Sequence, residues 1–228
     1  MTIDSPEAAR TLRSLLEGRH SCRDFTGESI PRSTIEQILG AAQRTASWCN
    51  TQPWKIYLSC GENTRRLKAR LMAAALEGRA QPDMAFPAKY EGEHLARRRE
   101  SGFQLYDAAG IAKGDRDASH RLALRNFELF GAPHCAIVAM PAYLGPYAAI
   151  DCGGWIANFL LAAHAHGVAA IAQAALAQHA PVLREHFGIP EEHVVVCGIA
   201  FGFEKPSAVN AYRTRRAPVD EACVWLDA

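Results

Sequence analysis

Two uninterrupted apolar runs of strand length constrain the fold of this chain more than any other feature of its sequence. They are CAIVAM at residues 135–140 and VVVCGIAF at residues 194–201. A strand without polar alternation is buried on both faces, so helices must cover both sides of its sheet. Between the two runs, the sequence predicts a long helix that Asp151 caps and that extends to about His166. This helix is apolar nearly all round and should itself be buried.

Weaker patterns predict the elements around these strands. Apolar residues at helical spacing predict helices over residues 6–18 and 31–42, a run of β-formers predicts a strand over 54–60, and helix formers fill 65–80. Residues 81–120 are rich in proline, glycine and arginine, and we expect short helices and loops there. Strands and helices alternate without a strict βαβ period. We therefore predict an α+β fold with one mixed sheet packed with helices.

Charge and cysteine content exclude several classes of protein. The 228 residues include 25 Lys and Arg against 24 Asp and Glu, so no net field draws the chain to nucleic acid or to an anionic membrane. Seven cysteines without a C-x-x-C pair argue against a disulfide framework and against a four-thiolate metal site. No signal-peptide pattern and no apolar run near the roughly 20 residues of a membrane span are present. We expect a cytoplasmic protein.

The common motifs of dinucleotide, P-loop, hydrolase and zinc-protease sites are absent from the sequence. His179, His186 and His193 recur every seven residues, which suggests a metal site at first sight. Their spacing crosses Gly188 and Pro190, so the three cannot share one helical face, and solvated or structural histidines explain them better. We expect no metal site.

Two arginine clusters are candidates for anion binding. Arg19, Ser21 and Arg23 alternate in a segment that we expect to be extended, so their side chains would project to one side and could hold a phosphate or a polyol. A solvated charged loop explains the same residues about equally well. The second cluster lies near the C-terminus, where a solvated tail is the alternative, and consists of Arg213, Arg215 and Arg216.

These arginines belong to a series of motifs that resembles the FMN-dependent nitroreductase family. The motifs are R-H-S-x-R-x-F at 19–25, N-T-Q-P-W at 50–54, GVAAIAQAAL at 167–176, FGIPEEHVVVCGIAFG at 187–202 and R-x-P-V-D-E at 216–221. The resemblance covers nearly the whole chain. Within the family, the chain is most similar to reductases that act on nitrobenzoate-like and dinitroaniline-like compounds.

The resemblance implies one nitroreductase-like FMN-binding domain over residues 1–228 and an intertwined homodimer with two FMN sites at the subunit interface. By motif, the FMN phosphate, ribityl chain and pyrimidine edge would be bound by Arg19, His20, Ser21, Arg23, Arg213 and Arg216. Asn50 would lie near the flavin. The partner's flavin would be reached by Ala46, Ser47 and Trp48, and the segment beside flavin N5 would be Ala172, Gln173, Ala174 and Ala175. Family members often carry proline in place of Ala46 and Ala172.

The activity that the resemblance implies is NAD(P)H-dependent reduction of nitroaromatic compounds. FMN takes a hydride at N5 from NADH or NADPH and returns it to a small-molecule acceptor, so two-electron steps and ping-pong kinetics follow and no protein side chain is assigned as catalytic. Reduction of quinones or enones and reductive dehalogenation are alternatives on the same scaffold. From a different class, the alternative is a flavin-binding protein without turnover.

Residues 85–120, which we name the cover, are expected to lie over the substrate side of the flavin and to select the acceptor. Arg97 would attract a carboxylated substrate or would belong to a solvated charged face. Phe103 and Tyr106 would line an aromatic pocket or would dock the cover to the rest of the molecule.

Overall fold

The computed structural model describes residues 5–226, which contain four strands, ten α-helices and three short 3-10 helices. The strands are β1 (Lys55–Cys60), β2 (His134–Pro141), β3 (Ala169–Gln173) and β4 (His193–Gly202). The longer helices are α1 (Ser5–Gly18), α2 (Arg32–Ala42), α3 (Glu62–Leu76), α4 (Gly92–Ala108), α5 (Arg116–Leu124), α6 (Gly145–Ala165) and α8 (Ala180–Phe187). The single-turn helices are α7 (Ala174–Ala177), α9 (Ala208–Ala211) and α10 (Val219–Ala222).

The four strands form one sheet in the order β1-β2-β4-β3. Every ladder between neighbouring strands is antiparallel. The sequence predicts a mixed sheet. Within residues 5–226, parallel pairing is limited to one isolated bridge between Ser21 and Ala170. This bridge lies on the outer edge of β3 and brings the segment after α1 to that edge.

Both faces of the sheet are buried, as the apolar runs predict. Alternate residues of β2 contribute to different cores, with Cys135, Ile137 and Ala139 on one side and Ala136, Val138 and Met140 on the other. The first core includes Leu67 and Leu71 of α3 and Leu183 of α8. The second includes Ile38 of α2 and the apolar face of α6. The α+β class with helices on both sides of the sheet is therefore confirmed.

Helix α6 is the long apolar helix between the two central strands. Trp155 and Phe159 are fully buried and stack with ring centroids 5.3 Å apart, which confirms their prediction as core residues. The predicted start at Asp151 was wrong: the helix begins at Gly145, with proline in its first turn, and Asp151 lies inside it. No helix within the described residues is long and apolar enough to cross a membrane.

Two elements differ from the sequence prediction. Where short helices and loops were expected, α4 is a regular helix of 17 residues. It contains no buried residue, so an apolar stripe could not reveal it. The segment AAIAQ forms strand β3, although alanine is not a β-former. Its pairing with β4 provides the stabilisation that local propensity does not.

Gly198 of β4 gives a test of how closely the first core is packed. A Cβ at this position would overlap Cδ1 of Leu176 and lie 3.0 Å from its Cβ, and Leu176 is fully buried. We expect Gly198→Ala to lower the free energy of unfolding by about 1–3 kcal/mol, because the side chain cannot move away. Urea unfolding of the apoprotein measures this change.

The control is Gly40→Ala in α2, where an added Cβ meets no atom within 4 Å. That variant should be about 0.5–1 kcal/mol more stable, because alanine is the better helix former. Equal unfolding midpoints for the two variants would contradict the packing described here.

Candidate functional site

The segment after α1 (residues 19–23, the basic loop) is fixed to the edge of β3 at its centre. The Cys22 N–H donates to the Ala170 carbonyl at 3.3 Å, and the Cys22 side chain is fully buried. Burial raises the pKa of the Cys22 thiol to about 11, so this residue anchors the loop as a small apolar group. Arg19, Ser21 and Arg23 are all half-buried.

Asn210 joins the basic loop to the C-terminal arginines. It is 2% exposed, and its Oδ1 accepts a hydrogen bond from the Arg23 N–H at 2.7 Å. Its Nδ2 donates to the carbonyls of Asp24 and Lys205, each at 2.9 Å. Asn210 was not among the predicted residues, because one asparagine among small residues forms no pattern. Its three bonds place residues 212–216 beside the basic loop.

A cleft of about 660 Å³, which we name the arginine cleft, lies between the end of α1, the basic loop and residues 212–216. The predicted residues that line it are Arg19, His20, Ser21, Arg23, Arg213 and Arg216. Tyr212 also lines the cleft and was not predicted; its hydroxyl accepts from Arg23 Nη1 at 3.2 Å. Ser101 of α4 closes one side. The structure therefore brings together the two arginine clusters from opposite ends of the chain.

The residues that line the arginine cleft include four arginines and one carboxylate, that of Glu17, so the lining has a net positive charge. Burial, together with the nearby Arg216 guanidinium, lowers the pKa of Arg19. Burial, followed by the charges of His20 and Arg19, also lowers the pKa of His164 at the end of α6. Within residues 5–226, none of the four arginines of the cleft forms an ion pair with a carboxylate. Arg19 and Arg23 are half-buried and Arg213 and Arg216 are exposed, and guanidiniums without a counter-ion are suited to binding a phosphate.

His20 lines the cleft, but both of its ring nitrogens lie within hydrogen-bond distance of other protein atoms. Nδ1 lies 3.3 Å from the Gly18 carbonyl and Nε2 lies 3.1 Å from Oε1 of Glu204. His20 therefore contributes to the shape of the cleft. It has no free ring nitrogen to offer a ligand.

The open edge of β3 continues from the basic loop. Beyond the bridge at Ala170, β3 ends at Gln173 and α7 begins at the next residue, Ala174. We name residues 172–175 the β3–α7 junction. Ala172 and Ala174 are exposed and Ala175 is half-buried, whereas Gln173 is only 3% exposed. The first N–H groups of α7 have no intrahelical partner, and small side chains let a flat ligand approach them closely.

The loop that carries Ala46, Ser47, Trp48 and Asn50 lies elsewhere. Cys49, Asn50 and Gln52 all have positive φ, at 51°, 55° and 47°. Residues other than glycine rarely adopt this conformation, so contacts with the rest of the protein must stabilise it. The Trp48 N–H donates to Oδ2 of Asp151 at 3.2 Å, which fixes the loop to the first half of α6. His164, beside the arginine cleft, is 13 residues further along α6, about 20 Å away. One chain does not bring this loop to its own arginine cleft.

Trp48 belongs to an exposed apolar patch on the first half of α6. Its ring contacts Tyr147 edge-on, with centroids 4.9 Å apart, yet 63% of the residue is exposed. Tyr143 and Ile150 are also exposed large side chains in this region. Near the C-terminus, Val224, Trp225 and Leu226 form a second exposed group. Exposed apolar patches of this kind are typical of protein interfaces.

Ion pairs connect the cover to the C-terminal segment. Arg97 donates to Glu93 and to Glu221, both at 2.7 Å, and Arg215 donates to Glu100 at 2.8 Å. Arg97 is therefore already paired with two carboxylates and has little free charge for a substrate.

Phe103 and Tyr106 line a cleft of about 440 Å³ with residues 111–116, and Phe103 is exposed. That cleft is separate from the arginine cleft in lining residues. The structure therefore does not bring Phe103 and Tyr106 together with the basic loop, whereas Arg97 lines a neighbouring cleft that shares Ser101 and Arg216 with the arginine cleft. Ser101 is the residue of α4 that does reach it, and a lone serine in a charged helix gave no signal in the sequence.

The fold and the site together define a cofactor-binding protein, with a cationic cleft for a phosphate next to an open edge for a flat ring. The profile of the nitroreductase family matches residues 16–203, and the chain belongs to this family. The nitroreductase NfnB of Mycolicibacterium smegmatis is 32% identical over 222 residues, which cover 96% of this chain and 93% of that protein. A 4-nitrobenzoate reductase of Nocardioides sp. is 32% identical over 227 residues, which cover 96% and 91%.

Solved structures agree with this assignment. The FMN-dependent nitroreductase NfnB from Mycobacterium smegmatis, in complex with NADPH, superposes with a TM-score of 0.92 at 30% identity and covers 96% of this chain and 100% of that one. The FMN- and NADPH-dependent nitroreductase NfnB from sphigopyxis sp. strain HMH superposes with a TM-score of 0.91 at 27% identity, with coverage of 95% of this chain and 99% of that one. The resemblance that the motifs carry, and the nitroreductase-like fold, are therefore confirmed.

Proposed function

We propose that this protein is an FMN-dependent NAD(P)H oxidoreductase that reduces nitroaromatic compounds by ping-pong, two-electron transfer. The observation that carries the proposal is the pair Arg19 and Arg216, two cations that have no counter-ion among residues 5–226 and that lie at the end of an open sheet edge. The similar proteins support it, since they include an FMN-dependent nitroreductase in complex with NADPH and a 4-nitrobenzoate reductase.

The residues fit FMN in both of its parts. Arg19 and Arg216 would hold the phosphate, with Ser21 and Arg213 beside them. Arg23 is held in place by the Ser21 carbonyl and the Tyr212 hydroxyl, each at 3.2 Å, and would place positive charge near the pyrimidine edge. The ring would lie along the β3–α7 junction, where alanines leave the backbone accessible.

FMN, when bound, supplies the hydride chemistry, and the protein's task is to bind, orient and shield it. Positive charge at Arg23 would favour the form of the ring that carries negative charge. The Ala172 and Ala174 side chains leave room for donor and acceptor to approach one face in turn. No side chain is assigned as a proton donor or nucleophile, in keeping with the ping-pong scheme.

We propose that the active form is a homodimer in the cytoplasm. The Trp48 loop is fixed to α6 at Asp151, about 20 Å along that helix from His164 and the arginine cleft. Trp48 is 63% exposed there, which supports a role for this loop in completing the flavin site of a partner. Residues 1–228 would act as one domain, with the cover over the acceptor side. All seven cysteines are free, which suits a reducing compartment.

Initial-rate kinetics test the reaction scheme. With NADPH or NADH as donor and 4-nitrobenzoate as acceptor, double-reciprocal plots at several acceptor concentrations should give parallel lines. A screen of quinones, enones and halophenols in the same assay distinguishes the alternative reactions. Intersecting lines would contradict a single site that serves donor and acceptor in turn.

Replacing Arg97, Arg98 and Arg99 with alanine tests the role of the cover. Arg97 is paired with two carboxylates, whereas Arg98 lies over the Tyr90 ring and neither Arg98 nor Arg99 forms an ion pair in the described residues, so the variant removes exposed and well-solvated positive charge. We expect KM for 4-nitrobenzoate to rise by about two- to fivefold, the range of a weak exposed charge, and KM for nitrobenzene to stay unchanged. Equal changes in KM for the two acceptors would show that these arginines do not attract the substrate carboxylate.

A further inference from the structure

Gln173 occupies the centre of the β3–α7 junction with its side chain turned inward. It is the last residue of β3, opposite Gly198 of β4, and precedes α7 without capping that helix by its side chain. Its neighbours Ala172 and Ala174 are exposed, whereas Gln173 is 3% exposed. A ligand along the junction would therefore contact the backbone of Gln173 and not its side-chain amide.

The Gln173 amide makes two hydrogen bonds to one residue. Its Nε2 donates to the Asn126 carbonyl at 3.0 Å and to Asn126 Oδ1 at 3.1 Å. The orientation of Asn126 is fixed in turn, because its Nδ2 donates to the Ala123 carbonyl at 3.0 Å. Gln173 must therefore present its NH₂ group, and its Oε1 is left buried without a partner in the described residues.

Asn126 connects the other parts of the site. It lies two residues after α5, whose first half belongs to the cover. Four residues later, the Phe130 carbonyl accepts from the Phe25 N–H at 3.3 Å, just after the basic loop. Leu129 and Phe130 have positive φ, at 54° and 52°, and are fully or almost fully buried. A bond to Asn126 thus joins the junction to the turn that follows α5 and that contacts the segment just after the basic loop.

We propose that Gln173 is a positioning residue, which holds Asn126 and thereby fixes the backbone of the β3–α7 junction for the flat part of the cofactor. This inference rests on the proposed function. A buried acceptor without a partner destabilises a fold, and methionine would remove it. The Asn126 carbonyl would keep its bond from the Leu129 N–H at 3.0 Å, and Asn126 Oδ1, on a half-buried side chain, would lose its donor. Gln173 therefore fixes the position of Asn126, although its own unpaired Oε1 lowers the stability of the fold.

The test replaces Gln173 with methionine and compares it with Gln178→Met. Gln178 is half-buried at the end of α7, and its side chain makes no hydrogen bond in the described residues. In apoprotein, Gln173→Met should retain or raise the melting temperature while hydrogen exchange in residues 168–178 becomes faster. Its Kd for FMN should rise about tenfold, the effect of losing one to two hydrogen bonds. Gln178→Met should match the wild type in both readouts.

Gln173→Glu provides a second and reversible perturbation. A protonated glutamic acid can still donate one hydrogen bond to Asn126, whereas a carboxylate cannot. Relative to wild type at the same pH, this variant should bind FMN more tightly at pH 5 than at pH 8. The pH dependence separates positioning from a simple loss of packing.

Three results would overturn the inference: unchanged exchange and FMN affinity in Gln173→Met, a loss of affinity that merely follows a lower melting temperature, or the same affinity ratio at both pH values in Gln173→Glu. Wild-type affinity for FMN is measured first. If the wild type binds no FMN, the proposed function fails, and exchange in the apoprotein still tests the Gln173–Asn126 contact. If the wild type binds FMN and the variants match it, only this inference fails.

Discussion

Arg216→Ala is expected to weaken FMN binding about ten- to a hundredfold, which corresponds to about 1.5–3 kcal/mol for one charge-assisted contact. Arg216 faces Arg19 in the arginine cleft, and apart from its bonds to Thr214 and a neighbouring carbonyl its guanidinium has no partner in the described structure. Without Arg216, the phosphate would lose one of its two main cations. Titration of apoprotein with FMN, followed by quenching of flavin fluorescence, measures the change.

Arg215→Ala is the matched control, because Arg215 directly precedes Arg216 in the chain and carries the same charge. Its side chain is 83% exposed and paired with Glu100 on α4. An exposed pair of this kind contributes about 1 kcal/mol or less, so FMN affinity should change by no more than about fivefold. Equal losses in the two variants would show that general charge, and not a contact in the cleft, determines affinity.

Trp48→Ala is expected to weaken the homodimer and to release FMN together. The ring is 63% exposed on one chain and lies in an apolar patch with Tyr147 and Ile150. An aromatic side chain at an interface can bury about 150–250 Å² and contribute about 2 kcal/mol or more, roughly a 30-fold change in dimer dissociation. The edge-on contact with Tyr147 shows that Trp48 also touches its own subunit, but most of the ring stays uncovered.

Sedimentation at decreasing protein concentration, with absorbance recorded for both protein and flavin, measures this effect. Flavin should dissociate over the range in which dimer gives way to monomer, and Trp48→Ala should shift that range to higher concentration. Leu76→Ala, which removes an exposed apolar side chain of α3, should leave it unchanged. A monomer that keeps its flavin and its full activity would contradict the dimer proposal.

Features that depend on local pattern were predictable from the sequence. The apolar runs identified β2 and β4, and the helical spacing of Trp155 and Phe159 identified core residues. Alternation of Arg19, Ser21 and Arg23 pointed to an anion site, and the basic loop does line a cationic cleft. In each case the pattern lies within one stretch of sequence, because burial of an apolar face or projection of charged side chains to one side sets the spacing of residues locally.

Features that depend on contacts between distant residues were not predictable. Strand β3 consists largely of alanine and is a strand because β4 pairs with it. Helix α4 has no buried face and therefore no apolar period. Asn210 and Asn126 look like ordinary polar residues, yet each makes hydrogen bonds to segments far along the chain. Single polar residues with such roles leave no periodic signal in one sequence.

The most direct test of the central claim is to follow the visible spectrum of the purified, FMN-loaded protein under anaerobic conditions. One equivalent of NADPH or NADH per flavin should bleach the yellow colour, and 4-nitrobenzoate added afterwards should restore it. The two half-reactions should occur separately, as a ping-pong enzyme requires. A flavin that reduced nucleotide does not bleach, or a bleached flavin that the nitroarene does not reoxidise, would contradict the account and favour a flavin-binding protein without turnover or a reductase for another acceptor.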